Sequence, residues 1–158
     1  MGTHPGIIEG ETAASGARVA IVAARFNAFV VDKLVSGALE TLHAQGVRDE
    51  NLTLVRVPGA FEIPAVVKQL AAGGGQDAVI ALGAVIRGET PHFDYVAGEC
   101  ARGVSQVALE TGVPVAFGVL TCDTAEQALA RAGGSAGNKG ADAALAALEM
   151  ANLFRKLG

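Results

Sequence analysis

Gly83-Ala84-Val85-Ile86-Arg87-Gly88-Glu89-Thr90-Pro91-His92-Phe93-Asp94-Tyr95 is the stretch on which the fold turns. Its first four residues close an apolar, β-branched run over 77–86 that reads as a strand buried on both faces. Thr90 suits a helix cap and Pro91 a first turn, so an amphipathic helix is expected to follow at once. A buried strand passing directly into a helix is the unit of a parallel α/β sheet, which binds its ligands at the carboxyl ends of the strands. A helix N-terminus at that place offers free N–H groups and partial positive charge to an anion. The junction therefore predicts an anionic substrate with His92 beside it.

Working outward, the same alternation recurs on both sides. Residues 18–24 read as a first buried strand ending at Arg25-Phe26-Asn27. Asn27 is a natural N-cap for a helix over 28–45 with Val31, Leu34, Val35, Ala38 and Leu42 on one face and Gly46 as its stop. Residues 52–57 give a second strand, and a second helix follows with Pro64 in its first turn. The helix beginning near Pro91 runs to Glu110 and stops at Gly112; residues 113–121 form a fourth strand. Asp123 with Glu126 resembles a capping box. After a glycine-rich turn around Asn138 and Lys139, a last helix over 141–157 buries Ala144, Leu145, Leu148 and Ala151. Four strand–helix alternations predict a parallel sheet with right-handed crossovers and helices on both faces. The expected architecture is a flavodoxin-like three-layer αβα sandwich with a four-stranded parallel sheet.

Composition agrees with one domain spanning 1–158: 51% of residues are hydrophobic and 18% charged, too apolar for disorder. Residues 1–16 read as a loosely ordered arm whose Ile7-Ile8 patch could add a strand to a neighbouring subunit. The net charge of −4, without any run of Lys or Arg, argues against nucleic acid or an anionic membrane as the main partner. Cys100 and Cys122 lack CxxC spacing and read as small buried hydrophobes in a reducing compartment. No apolar run suits a signal peptide or a membrane span, which makes the cytoplasm the default location.

The strand ends carry the candidate chemistry, and each residue has a plain structural alternative. His92 near a helix N-terminus is either a base, its protonated form disfavoured by the dipole, or a surface residue. Glu62 either binds hydroxyls or complements its own helix start, and Arg131 and Lys139 either reach a phosphate or are merely solvated. Phe26 and Phe117 suit the walls of a small-molecule site, although Phe26, Phe61 and Phe117 would all ordinarily be core. A P-loop, a GxGxxG fingerprint after the first strand, clustered metal ligands and an acidic phosphoacceptor pocket are each missing from the sequence. These readings leave a cofactor-free site for a phosphorylated small molecule.

Five segments, taken together and in order, resemble the lumazine synthases. They are Arg25-Phe26-Asn27, Val57 to Pro64, Gly83 to Val96, Phe117-Gly118-Val119-Leu120-Thr121, and Arg131 to Gly140. The resemblance implies condensation of 5-amino-6-ribitylamino-uracil with 3,4-dihydroxy-2-butanone 4-phosphate to 6,7-dimethyl-8-ribityllumazine, with release of phosphate and water, the penultimate step of riboflavin biosynthesis. It implies no metal and no organic cofactor. Phe26 would stack on the pyrimidine, Ala60, Phe61 and Glu62 would hold the ribityl chain and ring edge, and Val85 and Ile86 would add backbone contacts. Gly88, Glu89 and Thr90 would bind the phosphate, and His92 would move protons. Phe117, Arg131 and Lys139 would come from the neighbouring subunit of a homopentamer. A sixty-subunit shell is the expected assembly, with riboflavin synthase as a candidate partner. Ser135 departs from the family, many members of which have a second basic residue at that place. The alternative reading is a non-catalytic shell protein that binds a lumazine or flavin.

Overall fold

Four parallel strands in the order β2-β1-β3-β4 form the middle layer: β1 (Val19–Ala24), β2 (Leu52–Val57), β3 (Ala78–Ile86) and β4 (Val115–Cys122). The computed structural model describes residues 5–14 and 16–158. Alternate residues of β1 and β3 enter two separate cores. Ile21, Ile80 and Leu82 face α1 (Ala28–Ala44) and α5 (Lys139–Leu157), while Ala20, Val22 and Val79 face α2 (Ile63–Ala72) and α3 (His92–Thr111). Burying one such Ile or Leu is worth about 1.5–3 kcal/mol, which is why both faces of these central strands are apolar. The three-layer, flavodoxin-like sandwich is thus confirmed, and no described helix is long and apolar enough to cross a membrane.

The strand order places a switch point between β1 and β3. From β1 the chain moves outward to β2, then crosses back through α2 to β3 and on through α3 to β4. The two crossovers leaving β1 and β3 diverge, and a crevice opens at their carboxyl ends. β3 also outruns β1: the pairing between them ends at Ala23 and Leu82, while β3 continues to Ile86 against β4 alone.

Several local expectations are corrected. Asn27 stands before α1 in the left-handed conformation (φ 63°, ψ 43°) and makes no side-chain cap; its Nδ2 donates instead to the Ala84 carbonyl at 2.8 Å. That bond takes up a β3 carbonyl left open where β1 has ended. Thr90 does not cap α3 either: Pro91 holds the cap position and His92 is the first helical residue. The capping box lies one residue further on than Asp123 and Glu126. Thr124 Oγ1 accepts from the Gln127 N–H at 3.1 Å, and Gln127 Oε1 accepts in return from the Thr124 N–H at 3.4 Å and also from the Asp123 N–H at 2.8 Å, opening α4 (Ala125–Ala130). Thr124 has the extended backbone a cap needs, and the Asp123 carboxylate is engaged by Arg87.

The glycine-rich turn contains a small antiparallel hairpin, β5 (Ala132–Gly134) and β6 (Gly137–Asn138), which the sequence reading missed. Asn138 Oδ1 accepts from the Ala141 N–H at 3.0 Å, so α5 begins at Lys139, two residues early. Leu145 is 36% exposed rather than buried, because Ala143 and Ala147 occupy the inward stripe. Small residues let α5 lie close against α1, and at Gly140 any Cβ would collide with the Leu34 backbone carbonyl.

The expected arm over 1–16 includes residues 1–4 and 15, which lie outside the described residues. Residues 5–14 form no strand within the chain, and Ile7 and Ile8 are exposed. Beyond them the segment lies on α5, where Asn152 Nδ2 donates to the carbonyls of Glu11 and Ala13 at 2.6 and 3.0 Å.

Candidate active site

The crevice at the switch point is a cleft of about 730 Å³. Each flanking element delivers a different group to it. The turn after β1 contributes Phe26, 71% exposed and held by its N–H donating to the Pro58 carbonyl at 3.0 Å. The turn after β2 contributes Ala60, Phe61 and Glu62 through a short 3-10 helix over Ala60–Glu62. Glu62 makes no capping bond to α2; it folds back over Gly59, its Oε1 3.3 Å from the place a Gly59 side chain would occupy. The free edge of β3 adds Val85 and Ile86, and the loop beyond adds Gly88 and Thr90. His92, Phe93, Tyr95 and Val96 come from the first turns of α3.

The chemistry available there follows from these sources. Two exposed phenylalanines offer flat apolar faces to a ring, and a carboxylate beside them accepts hydrogen bonds from hydroxyls. The start of the twenty-residue α3 presents partial positive charge to an anion, with an exposed imidazole at its first position. Glu89 is exposed and does not line the cleft.

Phe117, Arg131 and Lys139 stand elsewhere. They line a second cleft of about 430 Å³ along the outer edge of β4, together with Thr121, Cys122 and Asp142. Arg131 ends α4, its Nη1 donating to the Gln127 carbonyl at 2.9 Å, and the Lys139 N–H donates to the Arg131 carbonyl at 2.8 Å across the hairpin. The two clefts share no lining residue. The sequence reading did not single out Tyr95, Phe93 or Asp142; helical spacing from His92 and from Lys139 was the available signal.

Cys100 and Cys122 are free and buried, as their spacing predicted. Burial pushes the Cys100 thiol up to about 11. It raises Cys122 as well, there partly opposed by the charge of Arg131. Among the described residues no group of three His, Cys, Asp or Glu side chains is placed to hold a metal ion.

The sequence model of the 6,7-dimethyl-8-ribityllumazine synthase family matches residues 16–155, so the chain belongs to that family. Its reaction is the family's: condensation of 5-amino-6-ribitylamino-uracil with 3,4-dihydroxy-2-butanone 4-phosphate to the lumazine, a transfer step of riboflavin biosynthesis carried out by a homo-oligomer on small-molecule substrates.

Proposed function

We propose that this enzyme assembles each active site from two copies of the chain, the first cleft of one facing the second cleft of its neighbour. One observation carries the reading: the aromatic walls, the loop before α3 and His92 share one cleft, while Arg131 and Lys139 share another with no lining residue in common. Phe26 stacks on the pyrimidine; Ala60, Phe61 and Glu62 hold the ribityl hydroxyls and ring edge; the free edge of β3 at Val85 and Ile86 meets the ring's amide groups. Gly88, Glu89 and Thr90 hold the phosphate at the start of α3, joined by Arg131 from the neighbouring copy. Glu89 takes part only through its backbone. Phe117 and Lys139 close the site.

His92 moves the protons. The 5-amino group of the pyrimidine adds to the butanone carbonyl, forming the C–N bond; its proton is taken up and returned to the departing hydroxyl, which leaves as water. Elimination then breaks the C–O bond to phosphate, the bonding pair leaving with the phosphate as the proton on the hydroxyl-bearing carbon is removed, and the enol so formed tautomerises to a second carbonyl. The ribitylamino nitrogen closes on the second carbonyl, again with loss of water. A positioned general acid–base contributes typically about 10²- to 10⁴-fold, and holding two substrates together contributes as much or more.

The proposed assembly is a pentamer built into a sixty-subunit shell in the cytoplasm, one domain per chain over 1–158. The Ile7-Ile8 patch pairs as a strand with a neighbour, and riboflavin synthase is a proposed partner. Ser135 costs some phosphate affinity at most, since Arg131 and the start of α3 remain. Mixing the protein with both substrates is expected to produce the fluorescent lumazine faster than the uncatalysed reaction, and no acceleration would overturn the proposal. Light scattering tests the shell: a particle of pentamer size would contradict it.

A further inference from the structure

Arg87 belongs to neither cleft, yet it lies between them. It follows the last residue of β3 and precedes Gly88, and its N–H donates to the Cys122 carbonyl at 2.8 Å, extending the β3–β4 ladder by one rung. Its guanidinium does three things at once. Nε donates to Asp123 Oδ1 at 2.9 Å, Nη1 stands 3.5 Å from Asp94 Oδ1, and the guanidinium carbon lies 4.3 Å from the centroid of the Phe93 ring. Phe93 and Asp94 are the second and third residues of α3, directly after His92. Asp123 immediately precedes the capping box of α4, the helix that ends at Arg131.

The loop 88–91 is therefore fastened at both ends by one residue. Its start is set by the Arg87 backbone on β4, and its end by the Arg87 side chain on the first turn of α3. The planar guanidinium suits this work, since it can bridge two carboxylates and stack on a ring at the same time, which an ammonium cannot. With both carboxylates claiming it, the group is turned toward Asp94 and Asp123 and lines neither cleft.

We infer that Arg87 is a positioning residue, which through Phe93, Asp94 and Asp123 holds the phosphate loop and His92 in place relative to the turn leading to α4. The inference rests on the assignment of 88–90 to phosphate and of His92 to proton transfer. Small misplacements of reacting groups cost up to about a hundredfold. Through a pinned loop the expected effect is smaller, on the order of three- to thirtyfold in kcat/KM for the butanone phosphate.

The test is steady-state kinetics, varying each substrate separately, on the assembled enzyme carrying Arg87→Met, Arg87→Lys, Asp123→Asn and the Arg87→Met/Asp123→Asn pair. Arg87→Met is expected to raise KM for the butanone phosphate and lower kcat, with KM for the ribitylamino-uracil unchanged. Arg87→Lys should recover only part of the loss. Asp123→Asn should act in the same direction, and the pair should lose less than the product of the single losses, because both remove one clasp. A lower KM for the phosphate substrate in Asp123→Asn would overturn the inference, since it would mean that a released guanidinium binds phosphate directly. Unchanged kinetics in Arg87→Met, or an equal rise in both KM values, would overturn it too. Arg131→Ala is the control. If it leaves KM for the butanone phosphate untouched, the phosphate assignment has failed and the inference falls with it; if it raises that KM while Arg87→Met does not, the inference alone has failed.

Discussion

The cleft at the carboxyl ends of β1, β2 and β3 is walled by Phe26, Phe61 and the start of α3, and the cleft along β4 by Arg131, Lys139, Asp142 and Phe117. The first is the larger and offers ring surfaces, a free strand edge and a helix start; the second offers cations. In the proposed site the condensation of a ring amine with a phosphorylated ketone draws on both. A helix start attracts an anion weakly and at short range, whereas a guanidinium binds a phosphate through two charge-assisted bonds, so the two contributions are complementary. The division follows from topology. The switch point lies between β1 and β3, and β4, being an edge strand, carries its own groups away from that crevice. The proposal is that the edge strand of one copy of the chain meets the open crevice of another.

The division predicts different kinetic signatures for damage on the two sides. In the first cleft, His92→Ala should lower kcat by about 10²- to 10⁴-fold, with the circular dichroism of the wild type. A wild-type kcat would make His92 a helix-start residue only. In the second cleft, Arg131→Ala removes a charge-assisted interaction, worth about 1.5–3 kcal/mol for one hydrogen bond, and should raise KM for the butanone phosphate by roughly 10- to 100-fold while sparing KM for the pyrimidine. A kcat loss alone would erase the contrast with His92. The smallest effect concerns the cysteines, one buried on α3 and one on β4 lining the second cleft. In the folded protein Cys100 is held near 11, above the ordinary 9.0, so it keeps its proton after the unfolded chain has lost it, and stability should fall as pH rises above about 9. Denaturant titrations at pH 8 and 10 check that sign; a gain in stability would contradict it.

The sequence made the layers legible because buried parallel strands are written as uninterrupted apolar runs, and β1 and β3 are buried along almost their whole length. Many residues of both clefts were legible as well, through their places at strand ends and through the family resemblance, but not Phe93, Tyr95 or Asp142, and Glu89 was expected in a cleft it does not line. Their separation into two clefts within one chain depends on strand order, which periodicity does not encode. Local errors have local causes. Asp123–Glu126 and Thr124–Gln127 share the same spacing, and only the extended backbone of Thr124, with Asp123 drawn to Arg87, decides between them. Hydrophobicity alone places Leu145 inward, but the close approach of α5 to α1 at Gly140 admits alanines there. Arg87 drew no attention as a single residue, because its role exists only where Asp94, Asp123 and Phe93 converge.

The central claim, that each site is built by two copies of the chain, is tested most directly by mixing two crippled enzymes. His92→Ala and Arg131→Ala damage different clefts, so subunits dissociated, mixed in equal amounts and reassembled should leave about a quarter of the sites with both clefts intact in a heterologous ring. Activity rising well above the mean of the two separately reassembled variants, toward that fraction of wild type, is the predicted result. A mixture no more active than that mean, with co-assembly verified, would mean that both clefts of one chain serve the same site and would contradict the account.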